Sequence, residues 1–192
     1  MMEQTQRPTA LQRQVPNLLT GLRVAAIPFL IIAFYLPAPW SDWLPLGLFM
    51  MASVTDWLDG KLARRWNAGS KLGQFMDPMA DKVLVVAIIV MLVSFGTIGS
   101  WDVIPAIAIL CREMFVSGLR EFLAFRQVEV PVSGLAKWKT ATQMLALTVL
   151  LVPFGFTLLP GLLLFWLAGY LALHTGYVYL RAALPELRGG GL

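Results

Sequence analysis

The sequence predicts an all-α integral membrane protein with six transmembrane helices and both termini in the cytoplasm. Three observations carry that prediction. Hydrophobic residues fill 58% of the 192 positions and charged residues only 14%, with a mean hydropathy of +0.71. Soluble domains carry about 25% charged residues, so this chain lacks the means to cover a water-facing surface. The second observation is a set of three long stretches almost free of charge, and the third is the placement of all fifteen Lys and Arg residues on or near one side. Disordered, collagen-like and disulfide-rich classes are excluded, since Cys111 is the single cysteine and cannot form an internal bridge.

A spanning helix needs about 20 apolar residues, and the bilayer core tolerates few charges. Between Val24 and Val54 the one formal charge is Asp42, in the turn Pro37-Ala38-Pro39-Trp40-Ser41-Asp42-Trp43. From Val83 to Leu110 it is Asp102, beside Gly99-Ser100-Trp101. From Thr140 to Leu180 there is none, and Pro153-Phe154-Gly155 with Pro160-Gly161 is expected to break the run. Each stretch divides into two helices, giving spans near 16–36, 43–61, 74–96, 101–127, 134–152 and 158–181. They form a single six-helix domain over 13–187, with frayed segments at 1–12 and 188–192. The first span follows Arg7 and Arg13 as a signal peptide would, but it reaches Pro37 without a small-x-small cleavage site, so a retained helix is expected.

The turns near 37–43, 96–102 and 153–160 contain no Lys or Arg. Cytoplasmic loops are the ones that collect basic residues, so the basic loops face the cytoplasm. Trp40, Trp43 and Trp101 fall at the outer boundary and Trp66 and Trp138 near the inner one.

Four aspartates, Asp56, Asp59, Asp77 and Asp81, crowd the inner ends of the second and third helices. Three residues apart on a helix is about 60° of rotation and four apart about 40°, so each pair projects from one face. A loop from Gly60 to Gly73 is expected to fold one helix back on the other and bring the four carboxylates into one pocket. Like charges at close range need a counter-charge. Two divalent cations would supply it, and hard oxygen donors suit Mg2+ or Mn2+ rather than zinc. The alternative is a solvated rim in which Lys61, Arg64, Arg65 and Lys82 pair with the acids. Gly60 and Gly73 admit close approach, Ala63 keeps the Asp59 face narrow, and Arg64 offers a planar fork for phosphate oxygens. Together they read as a diphosphate site.

These residues spell D-x2-D-G-x2-A-R-x8-G-x3-D-x3-D, running from Asp56 through Asp59, Gly60, Ala63, Arg64, Gly73 and Asp77 to Asp81. The pattern resembles the signature of the CDP-alcohol phosphatidyltransferases, and no fixed position departs from it. Further stretches are most similar to the bacterial members that make phosphatidylglycerol phosphate. They include Pro16-Asn17-Leu18-Leu19-Thr20 with Arg23, Arg112-Glu113, Leu119-Arg120-Glu121 and Lys137-Trp138-Lys139-Thr140.

The resemblance implies that Asp56, Asp59, Asp77 and Asp81 hold two Mg2+ ions, with Mn2+ possible, and that Asp81 is also the general base. It implies that Asn17, Thr20, Gly60, Ala63, Arg64, Ser70 and Gly73 contact CDP-diacylglycerol, and that the chain forms a homodimer in the cell (inner) membrane with its active site facing the cytoplasm. Membrane lipids are expected as partners and nucleic acid is not. Arg112, Arg120, Lys137 and Lys139 would bind a phosphate on the acceptor, which favours sn-glycerol 3-phosphate, with inositol phosphate the close rival and serine or phosphatidylglycerol further acceptors within the family. Arg23 shares a face with Thr20 and reads equally as a site residue or a snorkelling anchor. Cys111 and His174 read as packed residues, and Arg126 as an anchor. An ion or solute transporter is the non-enzyme alternative, but it calls for ionisable groups spread through the membrane depth.

Overall fold

The computed structural model describes residues 10–66, 71–125 and 134–189. Among these residues there are six α-helices and no strand: α1 Ala10–Ala33, α2 Trp40–Trp66, α3 Lys71–Ser94, α4 Val103–Phe125, α5 Gly134–Leu151 and α6 Gly155–Gly189, with one 3-10 turn at Ser100–Asp102. The expected all-α class and the number and order of the helices hold. The chain divides into two compact units, Met1–Met91 and Leu92–Leu192.

Helix ends differ from the hydropathy-based spans for one reason. An apolar window ends where the charges begin, whereas a helix ends only where its backbone is stopped. Helix α2 runs through Asp59 and Gly60 to Trp66, and α3 is already helical at Lys71. The expected loop from Gly60 to Gly73 is therefore largely helix, because Lys61-Leu62-Ala63-Arg64-Arg65 is a run of strong helix formers. Likewise Pro160, expected in the break before the last span, lies inside α6 in its second turn. The break itself is at 152–154.

Proline and glycine set the other turns. Pro37 and Pro39 stop α1 and precede α2. After α3, Gly96 takes φ 75°, a left-handed conformation open to a residue without Cβ. The Ile98 N–H then donates to the Leu92 carbonyl at 3.0 Å, which closes the turn toward α4.

In the first unit α1 packs on α2. Thr20, Arg23, Ile27, Leu30 and Phe34 are buried at spacings of three and four, the stripe that faces one side of a helix. The opposite face shows Leu22, Phe29 and Ile32, with Phe29 67% exposed. The charge is thus inside and the hydrocarbon outside. On α3 the buried Leu84, Ile88 and Met91 alternate with exposed Val83, Val86 and Val90.

In the second unit α6 packs on both α4 and α5. Its buried stripe is Phe165, Ala168, Ala172, Thr175, Tyr179 and Ala183, mostly small residues that let helices approach. At Gly169 the approach is closest: a Cβ there would lie 2.6 Å from Pro105 Cβ and 3.0 Å from its Cα. Among the described residues one segment, Gly155–Leu184, is long and apolar enough by itself to cross a membrane, and Leu18–Ala33 is a shorter apolar stretch.

Gly169→Ala should lower the thermal unfolding midpoint, because forcing α4 and α6 apart costs about 1–3 kcal/mol. Gly118→Ala, where the added methyl meets nothing within 4 Å, should leave it unchanged or raise it through helix propensity. Thermal denaturation of the two variants in detergent checks the contrast.

Candidate active site

Helix α1 contributes Arg23 to the first unit, and the side chain is completely buried. Its Nη1 lies 2.7 Å from Asp56 Oδ1 on α2 and 3.3 Å from Asp81 Oδ1 on α3. Three helices therefore meet at one guanidinium nitrogen, and the two carboxylate oxygens that share it are close neighbours. The two aspartate side chains remain 40% and 52% exposed. In these two contacts one positive charge faces two negative ones, and both carboxylates keep open surface. Thr20, one helical turn before Arg23, is buried on the same face.

This geometry resolves part of what the sequence left open. The convergence expected for Asp56 and Asp81 is present, and a counter-charge that reaches both comes from α1. Arg23, which could be read as an anchor snorkelling to the membrane surface, instead turns inward. Asp59, Gly60, Ala63 and Arg64 are helical residues of α2, Gly73 and Asp77 of α3, and Asn17 of α1. Their side chains, and all of Ser70, lie outside the described residues.

The donor set can be tested for a divalent cation on these atoms. Two carboxylates from different helices converge, each still offers oxygen surface, and their charge exceeds what Arg23 neutralises. All-oxygen anionic donors of this type match Mg2+ or Mn2+. These two carboxylates suit such an ion in kind, while among the described residues no group of three or more His, Cys, Asp or Glu side chains comes together.

The second unit holds a cluster of opposite balance. Glu113 Oε1 accepts hydrogen bonds from Arg112 Nη1 at 3.2 Å and from Lys139 Nζ on α5. All three side chains are mostly buried. The guanidinium carbons of Arg112 and Arg120 stand 6.0 and 5.5 Å from the centre of the Tyr179 ring on α6, within cation–π range. Arg112 Nε and Gln143 Oε1 are buried without a hydrogen-bond partner among the described residues. One carboxylate thus serves two cations, with Arg120 adding a third charge. Of the four residues expected to meet an acceptor phosphate, Arg120 and Lys137 are exposed, while Arg112 and Lys139 are tied to Glu113.

A family model described as CDP-alcohol phosphatidyltransferase matches residues 13–178. The chain belongs to the CDP-alcohol phosphatidyltransferase family. Two relatives named CDP-diacylglycerol–glycerol-3-phosphate 3-phosphatidyltransferase are similar over nearly their whole length. That of Rickettsia bellii is 44% identical, covering 90% of this chain and 96% of the relative, and that of Escherichia coli K12 is 43% identical, covering 92% and 98%. A protein of the same name from Cereibacter sphaeroides is 37% identical, covering 91% and 97%. This CDP-alcohol phosphatidyltransferase accordingly carries the family signature on the helices whose acids meet Arg23.

Sequence reasoning had no means of singling out Tyr179 or Gln143. Tyr179 reads as one more interfacial aromatic beside Tyr177, and Gln143 as an uncharged polar residue in an apolar run. Cys111, expected as a packed filler, is exposed on α4, since one residue along a helix turns it about 100° from its neighbour Arg112. His174 is also exposed, with its ring 6.3 Å from that of Tyr170. Trp166 Nε1 donates to Asp102 Oδ1 at 2.7 Å.

Glu113→Gln should strip two mostly buried cations of their shared partner and destabilise the protein by roughly 3 kcal/mol. Adding Lys139→Met to that variant should recover part of the loss. Comparing the thermal midpoints of the single and double variants checks this.

Proposed function

We propose that this chain transfers the phosphatidyl group from CDP-diacylglycerol to sn-glycerol 3-phosphate, giving phosphatidylglycerol phosphate and CMP. The observation that carries the reading is the meeting of Asp56 and Asp81, the first and last acids of the signature, at one buried arginine. The reaction named for relatives 43% and 44% identical over nearly the whole chain supports the choice of donor and acceptor.

In this reading 13–187 is one catalytic domain, and Asp56, Asp59, Asp77 and Asp81 hold two Mg2+ ions, with Mn2+ able to replace them. Bound there, the ions supply positive charge for the diphosphate and the departing nucleotide. Asn17, Thr20, Gly60, Ala63, Arg64, Ser70 and Gly73 line the CDP part of the donor. Asp81 accepts the proton of the acceptor hydroxyl, within hydrogen-bond reach as a general base must be. The acceptor oxygen forms a bond to the lipid-side phosphorus, the diphosphate P–O bond breaks, and CMP leaves with that electron pair.

Arg112, Arg120, Lys137 and Lys139 bind the acceptor phosphate. The excess of positive charge over Glu113 supports this role, as does the buried Arg112 Nε, a donor lacking a partner among the described residues. The chain works as a homodimer in the cell (inner) membrane, spanning it six times with the site toward the cytoplasm. Exposed apolar faces such as Leu22, Phe29 and Ile32 on α1 and Leu159, Leu163 and Leu173 on α6 support a lipid setting. So does the one-sided placement of Lys and Arg. The outward face of α1 would be costly in water and is at rest among acyl chains.

Purified protein with Mg2+, CDP-diacylglycerol and sn-glycerol 3-phosphate should release CMP, and a chelator should abolish the release. Asp81→Asn should lower turnover by about 10²–10⁴-fold while retaining binding of the CDP nucleotide. CMP release with serine or inositol phosphate but not with glycerol phosphate would overturn the acceptor and leave the donor chemistry standing.

A further inference from the structure

Arg23 lies outside the family signature, on a helix that contributes no signature acid. We infer that it is a positioning residue of the metal site: its guanidinium orients Asp56 and Asp81 for a divalent cation. The inference rests on the reading of those two aspartates as metal ligands.

A carboxylate turns readily about its last side-chain bond, so an aspartate on a helix does not by itself aim either oxygen. A donor fixed against one oxygen removes that freedom and directs the other. Arg23 Nη1 carries two N–H bonds, and it lies 2.7 Å from Oδ1 of Asp56 and 3.3 Å from Oδ1 of Asp81. It can therefore hold one oxygen of each, while both side chains keep surface open to solvent. The guanidinium is immobilised by complete burial, and the aspartates it grips come from different helices, so it sets their mutual spacing as well as their aim.

A staple serving packing alone would bury all three groups. Here only the cation is buried, and both acids stay 40% or more exposed. Arginine does this where lysine would do less, since a planar guanidinium keeps its N–H directions fixed and an ammonium does not. Partners that hydrogen-bond metal-ligating side chains typically change metal affinity or activity by about 10–100-fold when removed.

The test uses the full chain in detergent and Mn2+ as the probe, with free Mn2+ read by electron paramagnetic resonance. Arg23→Gln should bind Mn2+ about 10-fold or more weakly, with Arg23→Lys between it and the unaltered protein. Turnover of Arg23→Lys should fall while KM for glycerol phosphate stays unchanged. Thermal midpoints in metal-free buffer identify folded variants. If Arg23→Gln does not fold, weaker Mn2+ binding by Arg23→Lys carries the test. A folded variant with unaltered Mn2+ affinity overturns the inference. So does tighter binding, which would mean that the guanidinium merely competes with the ion. Failure of the unaltered protein to bind Mn2+ would overturn the metal reading itself, and this inference with it.

Discussion

A buried guanidinium between two carboxylates is the constraint on which the first unit depends. Taking arginine out of water costs several kcal/mol unless its N–H groups find acceptors, and Asp56 and Asp81 are the acceptors at Nη1 here. The same contact answers the problem of the acids. Like charges drawn together raise each other's energy, and a cation lodged between them lowers it before any ligand arrives. Two ion pairs that share one arginine thus tie α1, α2 and α3 together and keep Asp56 and Asp81 in reach of each other. Among the described contacts one guanidinium faces two carboxylates, a balance that would suit a divalent cation.

The second unit applies the same arithmetic with the signs reversed. Glu113 stands between Arg112 and Lys139, and Tyr179 offers its ring face to Arg112 and Arg120. The surplus there is positive and suits a phosphate. Close packing of α6 is what brings an aromatic ring to those arginines: Gly169 against Pro105 sets α6 onto α4, and Tyr179 follows ten residues later on the buried stripe. Both clusters place their charge inside helices whose outer faces are hydrocarbon, so the solvent that best suits the outside is lipid.

Composition and charge placement were enough to determine the all-α class and the number of helices, and the resemblance of the signature from Asp56 to Asp81 pointed to the family. These depend on local properties: apolar run length, proline and glycine breaks, and an eight-position spacing on two consecutive helices. The convergence of Asp56 and Asp81 was legible for the same reason, because a rotation per residue and a short connection can be counted along the chain. The position of the α2 end was not, since helix formers carry the backbone on past the point where hydropathy falls.

What tertiary structure alone decided is which distant side chains meet. Arg23 is 58 residues from Asp81, and nothing local distinguishes an arginine that turns inward from one that reaches for the membrane surface. The same holds for Tyr179 beneath its two arginines and for Lys139 against Glu113. A pattern of residue types records how each helix is sided, but the pairing of charges across helices is settled by packing distances that no single segment contains.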